Sequence, residues 1–67
     1  MNLSDLGLRE TILFTATTMF IENGYHGLAM RQISDALGVS KAALYYYFKD
    51  KEELFLAIIQ QNLDELE

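Results

Sequence analysis

Apolar residues recur at spacings of three and four through the first third of the chain. Six of them fall on one face of a helix: Leu8, Ile12, Leu13, Ala16, Met19 and Phe20. The pattern predicts a first helix that ends at Asn23-Gly24, because glycine adopts the left-handed backbone conformation that terminates many helices. Tyr25 follows this turn, and we expect its ring to pack back onto the core.

Two short helices joined by a tight corner are predicted next. Three apolar residues mark the inward face of a helix at about 30–37: Met30, Ile33 and Leu37. Gly38 ends this helix, and Ser40 is a suitable N-cap for a third helix at about 41–48. Because only a Gly-Val-Ser corner separates the two helices, they must cross at a steep angle, which is the helix-turn-helix layout.

A fourth helix is predicted to start after Asp50, which caps it. Glu53 stands where the partner residue of a capping box belongs, although Asp replaces the usual Ser or Thr at the cap. Apolar residues continue this helix: Phe55, Ile58, Ile59, Leu63 and Leu66. Acidic residues follow near its end, where negative charge opposes the helix dipole, so we expect the natural helix to extend beyond Glu67. The sequence thus predicts one all-α domain over residues 1–67, a small bundle of about four helices.

Composition limits the possible functions. The chain has 67 residues, of which 51% are hydrophobic, so we expect one globular domain with a thin core. It has no cysteine, and its single histidine, His26, lacks companion ligands and is interpreted as a surface residue. Without a nucleophile–base pair, metal cluster or phosphate-binding glycine loop, an enzyme is disfavoured and no cofactor is predicted. No apolar run approaches the roughly 20 residues of a membrane span, so we expect a cytoplasmic protein without a membrane partner.

Charge is unevenly distributed along the chain. The net charge is −5, yet residues 25–51 hold four basic residues against two acidic ones, a local net charge of +2. The remainder holds one basic residue against eight acidic ones, a net charge of −7. Local charge matters more than the total, because salt screening limits the range over which exposed charges interact to about 8–10 Å. The middle of the chain is therefore mildly basic, as a polyanion-binding surface or an ordinary solvated face would be.

Four consecutive aromatic residues, Tyr45-Tyr46-Tyr47-Phe48, end the predicted third helix. They cannot all face one core, because a helix turns about 100° per residue. Leu44 and Phe48 lie about 40° apart on the helical wheel and are expected to anchor the core. Tyr46 lies about 200° from Leu44 and should face outward, whereas Tyr45 and Tyr47 flank the buried stripe.

The outward face of this helix combines Lys41, Ala42 and Ala43 with the tyrosines, and it lacks the Glu/Lys pairs of an ordinary solvated helix. Alanines let a backbone approach base edges and thymine methyl groups, and phenol hydroxyls donate to phosphates. Lys41 and Lys51 add positive charge at helix starts. A DNA groove therefore suits this face. The alternative is a protein-interaction module that docks a partner helix on the tyrosines.

The residues from Arg9 to Phe55 resemble the N-terminal DNA-binding domain of the TetR (tetracycline repressor) family of bacterial transcription regulators. The most recognisable segment is GVSKAALYYYFKDKEELF. The other matching residues are Ile12-Leu13, Ala16, Phe20, Gly24-Tyr25 and Ile33. The resemblance implies a homeodomain-like three-helix core with the start of a fourth helix, a helix-turn-helix at about 29–48 and a recognition helix at about 41–48.

The resemblance also implies which residues touch DNA. Arg31 matches a position that touches DNA in some members, and Lys51 matches a frequent phosphate contact. The rest belong to the recognition helix and its cap. Positions that contact bases or phosphates in the family correspond to Ser40, Lys41, Ala42 and Tyr45. An aromatic pair that lies against the DNA backbone corresponds to Tyr46 and Tyr47.

Three positions depart from the family pattern. Ala29-Met30 stand where Thr or Ser usually caps the second helix, which should weaken that cap by roughly 1 kcal/mol and removes the usual hydroxyl contact to phosphate. Ser34 replaces an alanine but stays small. Tyr47 stands where histidine is commonest, and its hydroxyl still suits a phosphate.

Family members carry a larger C-terminal helical domain, which this chain is expected to lack. That domain dimerises and binds a small effector, and effector binding changes the separation of the two DNA-binding domains. The resemblance therefore implies a ligand-responsive repressor that acts as a homodimer on a palindromic operator. Two-fold symmetric proteins engage half-sites about one helical turn apart or at multiples of it.

Overall fold

Four α-helices form the domain in the computed structural model, which describes the backbone of residues 3–66 and the side chains of residues 7–63. Their bounds are α1 Leu3–Asn23, α2 Met30–Leu37, α3 Lys41–Tyr47 and α4 Lys51–Leu66. Helix α1 packs against α2 and α4, and α2 packs against α3. Because the described residues contain no strand, the predicted all-α class is confirmed.

All four helices contribute to one hydrophobic core. Helix α1 supplies the largest share, and Leu28 joins the core from the loop before α2. The other members lie on the four helices, except for Phe48, which directly follows α3: Ile12, Leu13, Ala16, Phe20, Met30, Ile33, Leu44, Phe48, Leu54 and Ile58. Ser34 is also buried, and its hydroxyl is satisfied because it donates to the Arg31 carbonyl at 3.0 Å. The small residue predicted at this position thus lies inside the packed region.

Two glycines end helices in the predicted way. Gly24 has φ = 77°, and its N–H donates to the Phe20 carbonyl at 2.8 Å. Gly38 has φ = 71°, and its N–H donates to the Asp35 carbonyl at 3.2 Å. Any side chain at these two positions would strain the backbone, because L-residues rarely adopt positive φ.

The start of α2 compensates in part for its missing hydroxyl cap. Ala29 is the N-cap residue and offers no side-chain acceptor. Instead, the side-chain carbonyl of Gln32 accepts the Ala29 N–H at 2.7 Å, while the Gln32 N–H donates to the Ala29 carbonyl at 3.0 Å. The bond to the Gln32 side chain is the half of a capping box that the third helical residue supplies.

Helix α3 is one residue shorter than the predicted 41–48. Ser40 caps it as expected, since its hydroxyl accepts the Ala43 N–H at 3.0 Å. Phe48 leaves the helix with φ = −137° and ψ = 118°, although its N–H still donates to the Leu44 carbonyl at 3.1 Å. The extended backbone at Phe48 starts the short connection to α4 while its ring stays in the core. The Arg9 guanidinium lies 5.3 Å from the centroid of that ring, which is within cation–π range.

Helix α4 begins with the predicted acidic cap. An Asp50 carboxylate oxygen accepts the Glu53 N–H at 2.8 Å. The Glu53 carboxylate accepts the N–H of Lys49 at 3.2 Å, one residue earlier than in a standard capping box. Farther along, Ile59 and Leu63 continue the helix as predicted but are exposed, whereas Leu54 and Ile58 face the core. Leu66 was also predicted to continue the apolar pattern of this helix, and its side chain lies outside the described residues.

Candidate nucleic-acid interface

The aromatic run of α3 divides between the core and the surface. Leu44 and Phe48 are 0% and 2% exposed, which confirms them as the anchors of this helix. Tyr46 is 81% exposed and points away from the core, as the helical wheel predicts. Tyr45 is 43% exposed and Tyr47 is partly buried, so both lie at the boundary. The outward-facing aromatic surface is therefore a consequence of anchoring a seven-residue helix by Leu44 and Phe48.

Tyr46 and Tyr47 form an aromatic pair on the outer side of α3. Their ring centroids lie 5.0 Å apart and the ring planes meet at 87°, an edge-to-face arrangement that aromatic rings favour. The exposed Tyr46 ring is therefore supported by the partly buried Tyr47 ring. The helical wheel predicted Tyr46 on the outer side and Tyr47 at the boundary, and it did not predict their contact.

The first turn of α3 presents a small and basic surface. Lys41 and Ala42 are exposed, and Ala43 is half-buried. The Ser40 hydroxyl oxygen accepts the Ala43 N–H, which leaves the hydroxyl proton available as a donor. This turn therefore offers an ammonium group and a hydroxyl donor beside a surface without bulky side chains.

Arg31 lies in the first turn of α2, the helix that packs against α3. Its guanidinium forms an ion pair with Asp35 at 3.9 Å, and the two side chains are 80% and 73% exposed. Ion pairs this exposed contribute about 0–1 kcal/mol. The pairing therefore holds Arg31 only weakly, and a phosphate can replace Asp35 as its partner.

Lys51 makes two contacts with Tyr25. Its ammonium donates to the main-chain carbonyl of Tyr25 at 2.6 Å and lies 4.3 Å from the centroid of the Tyr25 ring. These contacts connect the start of α4 to the turn between α1 and α2. Sequence reasoning missed them, because the two residues are 26 positions apart and no local pattern links them.

Two acidic side chains near the site accept backbone N–H groups. Asp50 and Glu53 accept N–H groups at the start of α4, so their charge is directed toward the positive end of that helix. Lys41 and Lys49 are exposed on either side of the tyrosines in sequence. The basic region predicted from residues 25–51 thus presents several cations, while two of its acidic neighbours stabilise a helix terminus.

Other site chemistries find little support in the described residues. No group of three or more His, Asp or Glu side chains in residues 7–63 is placed to hold a metal ion. His26 is exposed, as predicted, and its ring meets the Tyr25 ring edge-on at 5.3 Å. Within that part of the chain, no helix is long and apolar enough to cross a membrane.

Comparison with known proteins decides the family. The family model described as "Bacterial regulatory proteins, tetR family" matches residues 12–58, more than two thirds of the chain. The chain belongs to this family. The match includes all of α2 and α3 together with the corner between them. The TetR-family resemblance drawn from the sequence is therefore confirmed.

Relatives of this TetR-family domain are named as transcription regulators. The chain is 43% identical over 58 residues to the HTH-type transcriptional activator FasR of Mycolicibacterium smegmatis, covering 87% of the chain and 26% of that protein. It is 43% identical over 56 residues to the HTH-type transcriptional regulator RutR of Escherichia coli, covering 84% and 26%. It is 41% identical over 54 residues to the HTH-type transcriptional repressor AcnR of Corynebacterium efficiens, covering 81% and 29%.

The chain thus spans about a quarter of the length of these relatives. Their names describe transcription regulators and no enzyme, in agreement with the prediction that this domain is not an enzyme. They include both an activator and a repressor, so family membership does not assign either role. The individual DNA contacts predicted for α2, α3 and α4 stay predictions.

Proposed function

We propose that this domain binds duplex DNA with the outward face of α3 in the major groove. The observation that carries the proposal is the division of the aromatic run, in which Leu44 and Phe48 are buried while Tyr46 is 81% exposed. An exposed tyrosine of this kind contributes little to the core of its own domain. Beside Lys41 and Ala42, it forms a surface with donors for phosphates and room for base edges.

Sequence readout is assigned to the first turn of α3. The Lys41 ammonium suits the O6 and N7 acceptors of guanine, and the Ala42 methyl group suits apolar contact with thymine. Both side chains are exposed, and Ser40 precedes them with a hydroxyl that still has a proton to donate. Ser40 and Tyr45 complete this part of the interface as base or phosphate contacts.

Phosphate contacts are assigned to the residues around that turn. Tyr46 and Tyr47 provide phenol hydroxyls from an edge-to-face pair, and Arg31 provides a weakly paired guanidinium from α2. Lys51 provides an ammonium at the start of α4. Contacts of this kind position a protein on the duplex and carry no sequence information themselves.

The whole protein is proposed to be a ligand-responsive repressor in the cytoplasm. The relatives are about three times as long as this chain, and the resemblance implies a C-terminal domain that dimerises and binds a small effector. A homodimer would place two copies of α3 in successive major-groove segments of a palindromic operator, about one helical turn apart or a multiple of it.

Two variants test the assignment of readout and phosphate contacts. We expect Tyr47→Phe to weaken binding to all duplexes by about two- to tenfold, because it removes one hydroxyl while its ring remains beside Tyr46. Lys41→Ala should instead change which sequences are preferred, because it removes a contact to a base edge. Selection of bound duplexes from a random pool measures preference, and titration of several selected duplexes measures affinity.

The opposite pattern would contradict this assignment. If Tyr47→Phe changed the selected sequences and Lys41→Ala weakened all duplexes equally, the faces of α3 would be wrongly assigned. Thr18→Ala is a suitable control, because Thr18 is exposed on α1 and its hydroxyl bonds only within its own helix. It should change neither preference nor affinity.

A further inference from the structure

The Lys51 ammonium is fixed by Tyr25 in the absence of DNA. The Tyr25 carbonyl accepts a hydrogen bond from it at 2.6 Å, and the face of the ring lies 4.3 Å away. An ammonium group has three N–H donors, so other donors remain for an external partner after one is spent on the carbonyl. Lys51 itself is only partly buried, which leaves its cation within reach of solvent.

The Tyr25 ring is itself held firmly. It stacks on Phe20 with a centroid distance of 5.9 Å and an interplanar angle of 9°. It also meets Phe55 of α4 edge-on at 5.0 Å. Phe20 belongs to the buried core. The Tyr25 ring therefore packs against both α1 and α4, beside Lys51, which is the first residue of α4.

We propose that Tyr25 is a positioning residue for DNA binding, because it holds the Lys51 ammonium where a backbone phosphate meets it. This inference rests on the proposed function. A free lysine side chain loses much rotamer freedom when it binds a phosphate. Lys51 has lost most of that freedom already in the unbound domain, so the phosphate contact gains affinity from preorganisation.

The first test measures the mobility of the lysine ammonium groups without DNA, by nitrogen-15 NMR relaxation. We expect the Lys51 ammonium to be more ordered than that of Lys49, an exposed lysine two residues earlier. Tyr25→Leu should make Lys51 more mobile than in the wild type, because the ring is lost while the main-chain carbonyl remains. Tyr25→Phe should leave Lys51 as ordered as in the wild type, since it keeps the ring.

The second test measures duplex affinity in a double-mutant cycle. Tyr25→Leu should weaken binding about two- to fivefold, which is the effect expected from losing an exposed cation–π contact. The folded fraction of each variant is measured by circular dichroism, and affinity is calculated from the concentration of folded protein. In the background of Lys51→Met, the same Tyr25→Leu change should have no further effect. Lys51→Met should reduce the slope of log affinity against log salt concentration by about 0.9, whereas Tyr25→Leu should leave that slope unchanged.

The possible outcomes distinguish failure of this inference from failure of the proposed function. Equal weakening by Tyr25→Leu in both backgrounds would mean that Tyr25 acts only through general packing, which overturns the positioning role. An equally ordered Lys51 ammonium in wild type and Tyr25→Leu would overturn it as well. If no variant and no wild-type chain bound any duplex, the proposed function would fail, while the relaxation data would still show whether Tyr25 fixes Lys51.

Discussion

Replacing Leu44 with alanine is expected to lower the free energy of unfolding by about 2–5 kcal/mol. Leu44 is 0% exposed, and with Phe48 it anchors a helix of only seven residues to the core. A domain of this size has a total stability of only about 3–10 kcal/mol, since folded proteins hold about 0.05–0.15 kcal/mol per residue. We therefore expect Leu44→Ala to lose a large share of the domain's total stability. Urea unfolding followed by far-ultraviolet circular dichroism measures the change.

Tyr46→Ala is the matched control for this prediction. Tyr46 lies two residues away on the same helix and is 81% exposed, so its truncation should change the free energy of unfolding by less than about 1 kcal/mol. Similar losses of stability for the two variants would contradict the assignment of Leu44 to the core and Tyr46 to the surface.

Ala42→Glu is expected to weaken duplex binding at least about 100-fold without unfolding the domain. Ala42 is exposed in the first turn of α3, where the proposal places base edges and flanking phosphates. A carboxylate facing phosphates costs several kcal/mol, and every 1.4 kcal/mol is about a factor of ten in affinity. The same carboxylate is favourable near a helix N-terminus, so the fold should not suffer.

Thr18→Glu is the matched control, because it adds the same single negative charge on the exposed face of α1. Fluorescence anisotropy of a labelled duplex should show at most a few-fold loss for this control, because only the total charge of the domain has changed. Equal losses for Ala42→Glu and Thr18→Glu would mean that net charge, rather than the surface of α3, governs binding.

The helices and their ends were predictable because their determinants are local. Gly24 and Gly38 end helices through a conformation that only glycine adopts easily, and Ser40 and Asp50 cap the helices that follow them. The end of α3 was placed one residue late. Phe48 keeps a helical hydrogen bond although its own backbone is already extended, and the sequence pattern does not distinguish these two states.

The buried face of α4 was harder to predict. Apolar residues occur around most of this helix, so periodicity alone does not choose between the face of Leu54 and Ile58 and the face of Ile59 and Leu63. Packing against α1 decides, and it buries the first pair. Tertiary contact, rather than local preference, therefore determines the orientation of α4.

The candidate site was predicted in part. Wheel geometry correctly assigned Leu44 and Phe48 to the core and Tyr46 to the surface. It left the partner of that surface open between DNA and protein, and family membership favours DNA. The contact between Lys51 and Tyr25 was not predictable, because it depends on how α4 packs against the turn after α1.

The most direct test of the central claim is the affinity of the wild-type chain for a duplex measured over a range of salt concentrations. Two cationic residues of the proposed interface are assigned to phosphates, namely Arg31 and Lys51. Log affinity should therefore fall with log salt concentration with a slope of about −2, since each neutralised phosphate contributes about −0.9. Absence of duplex binding, together with a salt-insensitive complex between the tyrosine face and another protein, would contradict the account.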